Sequence, residues 1–111
     1  MMIMDELIAS RIADWAIRIW RHDKSIANEL RRINKSVEPC DHGVVGVGPG
    51  GMRVGLQYGL EPPLAVLQLG FLLFGQLWPL MPGFDKAMKL ANKMWRQEIK
   101  ARKIKAEAIN P

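Results

Sequence analysis

One cysteine and two histidines are all the thiol and imidazole that 111 residues offer. Cys40 cannot close an internal disulfide, so nothing points to an oxidising compartment, although a bridge to another chain stays open. A four-ligand zinc site would need carboxylates or a second chain beside Cys40, His22 and His42. Cys40-Asp41-His42 is the only cluster of catalytic residue types. In an extended chain Cys40 and His42 point the same way, but with no third partner the trio is expected neither to catalyse nor to bind metal. Serine-centred elbows, paired carboxylates and metalloprotease motifs are absent as well. The expectation is a non-enzyme with no cofactor and no metal.

Two further absences bear on location. The opening Met1-Met2-Ile3-Met4-Asp5-Glu6 carries acid where a targeting segment needs positive charge. A cytoplasmic origin, followed by incorporation into a particle or a membrane, is the expectation. Internal repeats are missing too, and the only biased tract is a glycine-rich centre.

The third scarcity is local. Residues 62–84 hold no charge at all, whereas residues 1–61 hold eight Lys/Arg and eight Asp/Glu, and residues 85–111 hold eight against three. The net charge of +5 therefore sits in the last 27 residues. This divides a single unit, residues 1–111, into a helical arm (5–37), a glycine-rich hairpin (43–59), an uncharged apolar segment (62–84) and a basic tail (85–111).

In the arm, Ile8, Ile12, Trp15, Ile19, Ile26, Leu30, Ile33 and Val37 follow spacings of three, four or seven, which places them on one helical stripe. Asp5 and Glu6 at the start and Arg31, Arg32 and Lys35 at the end suit the helix dipole. Ile12, Ile19, Ile26 and Ile33 recur every seven residues, the spacing that keeps a seam toward a partner helix. The companion positions are irregular, so the stripe serves equally for packing on its own chain. A continuous helix over 5–37 would be about 50 Å long at 1.5 Å per residue, against a radius of gyration of about 13 Å for a compact domain of this size. Either it breaks near His22-Asp23-Lys24-Ser25, with Asp23 or Ser25 capping a second helix, or its free half lies on another subunit. Ile17 and Trp20 point off the stripe and predict a second contact surface.

The centre holds seven glycines between Gly43 and Gly59. Gly48-Pro49-Gly50-Gly51 predicts a turn, flanked by β-branched Val44, Val45 and Val47 and by the alternation Met52, Val54, Leu56, Tyr58. A lone hairpin is marginal in water, so a helix or neighbouring strands must cover it. Gly46 to Gly51 formally matches a dinucleotide fingerprint, but a proline and a strand-like run follow instead of a helix, and no P-loop Lys-Ser/Thr follows either.

In the uncharged segment Pro62 and Pro63 suit a helix start and Pro79 and Pro82 its end. That leaves roughly 16 helical residues, about 24 Å against a hydrocarbon core of about 30 Å. Leu64, Leu67, Phe71, Leu73, Phe74 and Trp78 are its candidate lipid or partner contacts. Three placements compete: inserted or re-entrant in a membrane, buried in an assembly, or central in a monomeric domain. The tail begins with Asp85 as a candidate N-cap and continues as a helix on Ala87, Met88, Ala91, Met94 and Trp95. Lys100, Arg102, Lys103 and Lys105 then form a candidate anion-binding group.

The fold expected is mainly α, with an amphipathic N-terminal helix, a hairpin, an apolar helix and a basic helix that do not close into a self-contained globule. The function expected is that of a structural or assembly subunit of a virion, an injection or secretion device, or a membrane complex. The expected partners are other protein subunits, with a membrane as a further one, and nucleic acid or anionic lipid through residues 96–105. The rival readings are a small membrane-inserted protein such as a pore former, and a soluble nucleic-acid-binding protein led by the tail.

Overall fold

The computed structural model describes the backbone of residues 2–109 and the side chains of residues 6–108. The Asp5 side chain and the last two residues of the tail, Asn110 and Pro111, lie outside the described residues. The first helix, α1, spans Met2–Trp20 and buries Ile12, Ala13, Ala16, Ile17 and Ile19 completely. It stops where His22 enters the left-handed region at φ 63°, with the Asp23 N–H donating to the Arg18 carbonyl at 2.9 Å. The Asp23 carboxylate accepts the Ser25 N–H at 2.9 Å and its hydroxyl at 2.7 Å, turning the chain into α2, Ile26–Ile33. The long 5–37 helix is therefore two helices broken at residues 21–25. Ser25 is the N-cap residue by position, but its own side chain makes no capping bond.

Three strands follow in the order β1-β2-β3, all antiparallel: β1 is Glu38–Cys40, β2 is Gly43–Val47 and β3 is Arg53–Gln57. The predicted hairpin is β2–β3, with Val44 opposite Leu56 and Gly46 opposite Val54. Its turn runs through Pro49–Gly51, where Gly50 at φ 83° takes the left-handed conformation that a Cβ would penalise. The third strand was not expected, because Glu38-Pro39-Cys40 is short, exposed and carries a proline. It is held at the sheet edge, where a proline is tolerated. Asn34 ties the layers by donating its amide to the carbonyls of Val47 at 2.9 Å and Leu72 at 3.2 Å.

The helix α3, Pro62–Phe74, starts on its two prolines and ends at Gly75. Its 13 residues are fewer than the roughly 16 expected, because the chain turns at Gly75 well before Pro79. Ala65, Val66, Leu69 and Leu72 are buried, and Gly70 lies so close under the Trp78 indole that an added Cβ would sit 1.7 Å from the ring. Trp78 is itself fully buried, stacked on Phe74 at 5.1 Å and edge-on to Phe84 at 5.7 Å. One side of α3 and Trp78 thus lie in the core while Leu64, Leu77 and Leu80 of the same uncharged segment are exposed, and among the described residues no helix is long and apolar enough to cross a membrane.

The last helix, α4, spans Phe84–Ile109, so Asp85 lies inside its first turn and not at the cap. It runs in the same direction as α1, since Lys86 meets Glu6 near both starts and Glu98 meets Arg21 further along. The helix α3 begins where α1 ends, with the Gly59 N–H donating to the Ile19 carbonyl at 3.0 Å, so it runs the other way. One continuous core joins α1, α2, the sheet, α3 and the first half of α4. The expectation that the chain would not close on itself is therefore corrected. Most of the apolar faces find their partners within the chain, giving a mainly helical globule with a small antiparallel sheet. Its extents of 53 × 35 × 18 Å and radius of gyration of 14.8 Å reflect the projecting end of α4.

Candidate polyanion interface

The buried side of α4 is made by Ala87 and Ala91, with Met88, Met94 and Trp95 half-buried around them. This face packs on α1 and α3, and the small size of the two alanines lets the backbones approach closely. On the other side stand Lys86, Lys89, Lys93, Arg96, Lys100 and Lys103, spaced three, four, three, four and three residues apart. At about 100° per residue these six fall within an arc of roughly 100°, opposite the alanine face. They form one row about 25 Å long at 1.5 Å per residue. All six are exposed. Among the described residues only Lys86 is in an ion pair, 3.1 Å from Glu6.

Two of the four cations expected to bind anions, Lys100 and Lys103, belong to this row. Arg102 does not. Its guanidinium lies 4.5 Å over the Trp20 ring and 3.4 Å from Glu98, on the side of α4 that faces α1. Glu98 also accepts two hydrogen bonds from Arg21 Nε, at 2.8 and 3.0 Å, and a third from the Arg21 terminal nitrogen. That pairing holds the Glu98 carboxyl below the ordinary glutamate range. Arg102 is therefore part of a clasp fastening α4 to the end of α1, and Trp20 finds its second contact there. Lys105, about five turns after Ala87, falls on the alanine side of the helix and is exposed because α4 projects beyond its partners there. Lys86, Lys89 and Lys93 were not among the expected contacts, whereas Arg96 lies within the expected range 96–105; on an amphipathic helix, cations opposite the apolar face read as its solvated complement. Their three-four spacing was the available signal.

The other candidate positions are spread through the molecule. Ile12, Ile19 and Ile26 are fully buried in the chain's own core, and Ile33, at the end of α2, is 53% exposed. Leu64 is exposed, Leu67, Phe71, Leu73 and Phe74 are half-buried, and Trp78 is buried. Leu77 and Leu80, which were not singled out, are the most exposed large apolar side chains, at 69% and 83%. Cys40, Asp41 and His42 all face solvent at the β1–β2 turn. No group of three His, Cys, Asp or Glu side chains that could hold a metal ion occurs among the described residues.

A cleft of about 840 Å³ between α1 and α2 is lined by Arg11, Asp14, Trp15, Glu29 and Arg32, among others. Glu29 accepts the Trp15 indole N–H at 2.8 Å and also bonds Arg18, and these two bonds, the indole's first, lower its pKa. Its carboxylate is thereby engaged in joining the two helices. Compared with protein-family models, curated proteins and solved structures, the chain matches none.

Proposed function

We propose that the chain is a non-catalytic attachment module, a small helical globule that fastens a larger assembly to an anionic partner through α4. The assemblies in view are those that use such subunits: a virion, an injection or secretion device, or a membrane complex. The observation that carries the reading is the row of six exposed cations opposite the buried face of α4. Packing accounts for the alanines and for Arg102, but it does not account for cations held in one line. A line of like charges costs repulsion, which an anionic partner relieves.

The test is retention on immobilised heparin at low salt. The wild type is expected to bind and to elute only as salt rises. A variant with Lys89, Lys93, Arg96 and Lys100 all changed to Gln is expected to keep its circular dichroism spectrum and pass through. Failure of the wild type to bind at 20 mM salt or so, well below physiological screening, would remove the reading.

A further inference from the structure

Resting on the attachment reading, we propose that the anionic partner is duplex nucleic acid, gripped along its phosphate backbone by Lys86, Lys89, Lys93, Arg96, Lys100 and Lys103 without base recognition. The first argument is shape. The row is straight and about 25 Å long, with successive cations rising by about 4.5 or 6 Å. Counting both strands, a duplex carries one charge per about 1.7 Å of its axis, so a straight row of this length passes enough phosphates on the two winding strands for each of its six cations to meet one. A linear polymer of fixed charge matches a linear row. The second argument is accessibility. Residues 101–108 are exposed throughout, so the distal half of α4 projects from the globule. Lys86, Lys89, Lys93 and Arg96 stand on the solvent face of the packed part of α4, and Lys100 and Lys103 carry the row on toward its projecting end, so a duplex can lie along all six.

The remaining arguments concern what the row lacks. Single-stranded nucleic acid is held by stacking its bases on aromatic rings. Here Trp15 and Trp78 are buried, Trp95 is half-buried on the inner face and Trp20 is covered by Arg102. No exposed aromatic stands on the row among the described residues. A helix that lies in a lipid surface sinks its apolar face into the acyl boundary. In α4 that face is turned onto α1 and α3, and the large apolar side chains it exposes are Ile99 and Ile104, at 42% and 57%. Those two stand on opposite flanks of the row, not together.

The chemistry is ion pairing with counterion release. With Lys86 engaged by Glu6, five cations are free, and a slope of about 0.9 per phosphate gives a decline in log affinity of about 4.5 per tenfold rise in salt. Between 50 and 200 mM salt that corresponds to a loss of roughly 500-fold.

The experiment is fluorescence anisotropy of a labelled 24-base-pair duplex with the full chain across that salt range, repeated with a scrambled duplex, a single strand and phosphatidylserine vesicles. Binding of both duplexes with equal affinity and a slope near 4.5 is the expected result. Lys93→Gln with Arg96→Gln should lower the slope by nearly 2. The control pair Lys24→Gln with Arg53→Gln removes the same net charge elsewhere on the surface and should leave the slope unchanged. Vesicle or heparin binding without duplex binding would overturn this inference and leave the attachment reading standing. Stronger binding to the single strand, a sequence preference above about tenfold, or an equal effect of the two double variants would also overturn it. Binding to none of the probes would remove both.

Discussion

Arg18 gathers four side chains at the break between α1 and α2: Nε donates to Asp23 at 2.9 Å, one terminal nitrogen to the Ser25 hydroxyl at 2.7 Å, and the other to Glu29, with Asp14 3.7 Å away. The Asp23 carboxyl is pulled down to about 2, first by the Ser25 hydroxyl, then by Arg18 and the Ser25 N–H. A folded-state pKa below the unfolded value stabilises the fold at pH above that unfolded value, and the gain is lost as pH falls through the folded one. The window for Asp23 therefore runs from its ordinary 3.8 down to about 2. Because the side chain is 37% exposed, solvent screens part of the effect. Asp23→Asn is expected to lower the melting temperature at pH 7 by a few degrees and to flatten its fall between pH 4 and pH 2. Parallel melting curves across that range for the variant and the wild type would show that the turn draws no stability from this charge. The residues of the turn were named from the sequence as helix breakers, but the part played by Arg18 was not. It lies a turn and a half before the break, and only the fold back of α2 brings Glu29 beside it.

At the scale of elements, local chemistry was a good guide wherever a backbone conformation demanded a particular residue. The hairpin is the clearest case, with a proline and two glycines at positive φ between its strands. Nothing lies within 4 Å of a Cβ built at Gly50, so a substitution there meets a backbone penalty and no clash. Gly50→Val is expected to destabilise by about 1–2 kcal/mol, the cost of placing an L side chain in the left-handed region. Gly50→Asn should recover most of the loss, since asparagine tolerates that region. Urea denaturation of the two variants decides it, and equal stability of the valine variant and the wild type would mean that the turn relaxes to another form. Element boundaries were less legible. The end of α3 at Gly75 and the start of α4 at Phe84 depend on Trp78 turning back under Gly70, a contact between positions with no local periodic relation.

For the whole molecule the question is what the isoleucine series faces. Ile12, Ile19 and Ile26 have no exposed surface and Ile33 has much. Ile26→Ala should therefore destabilise by about 2–5 kcal/mol, as for large-to-small changes in a packed core. Ile33→Ala should change stability by less than about 0.5 kcal/mol. Because one core joins the elements, unfolding is expected as a single transition, coincident by far-ultraviolet dichroism and tryptophan fluorescence. Two separate transitions, or similar losses in the two variants, would show that the series is not divided between core and surface in this way. Light scattering of the same samples reads whether Ile33 also supports association.

The local features could be read without the fold: the helical periodicity before and after the break, the place of the hairpin turn, the lack of charge in residues 62–84 and the position of the net charge after residue 84. Each follows from interactions within a few residues, where propensity, turn chemistry and periodicity act directly. Which apolar faces are satisfied inside the chain depends instead on how the helices pack. A stripe of isoleucines presents the same pattern to a neighbouring helix of its own chain as to one of a partner, so periodicity could not choose between an arm and a core. The division of the cations was settled in the same way. Arg102 and Lys103 are adjacent in sequence, yet one is held over Trp20 and the other stands on the exposed row, because α4 packs on α1 along a single face and every residue's role follows from its angle to that contact.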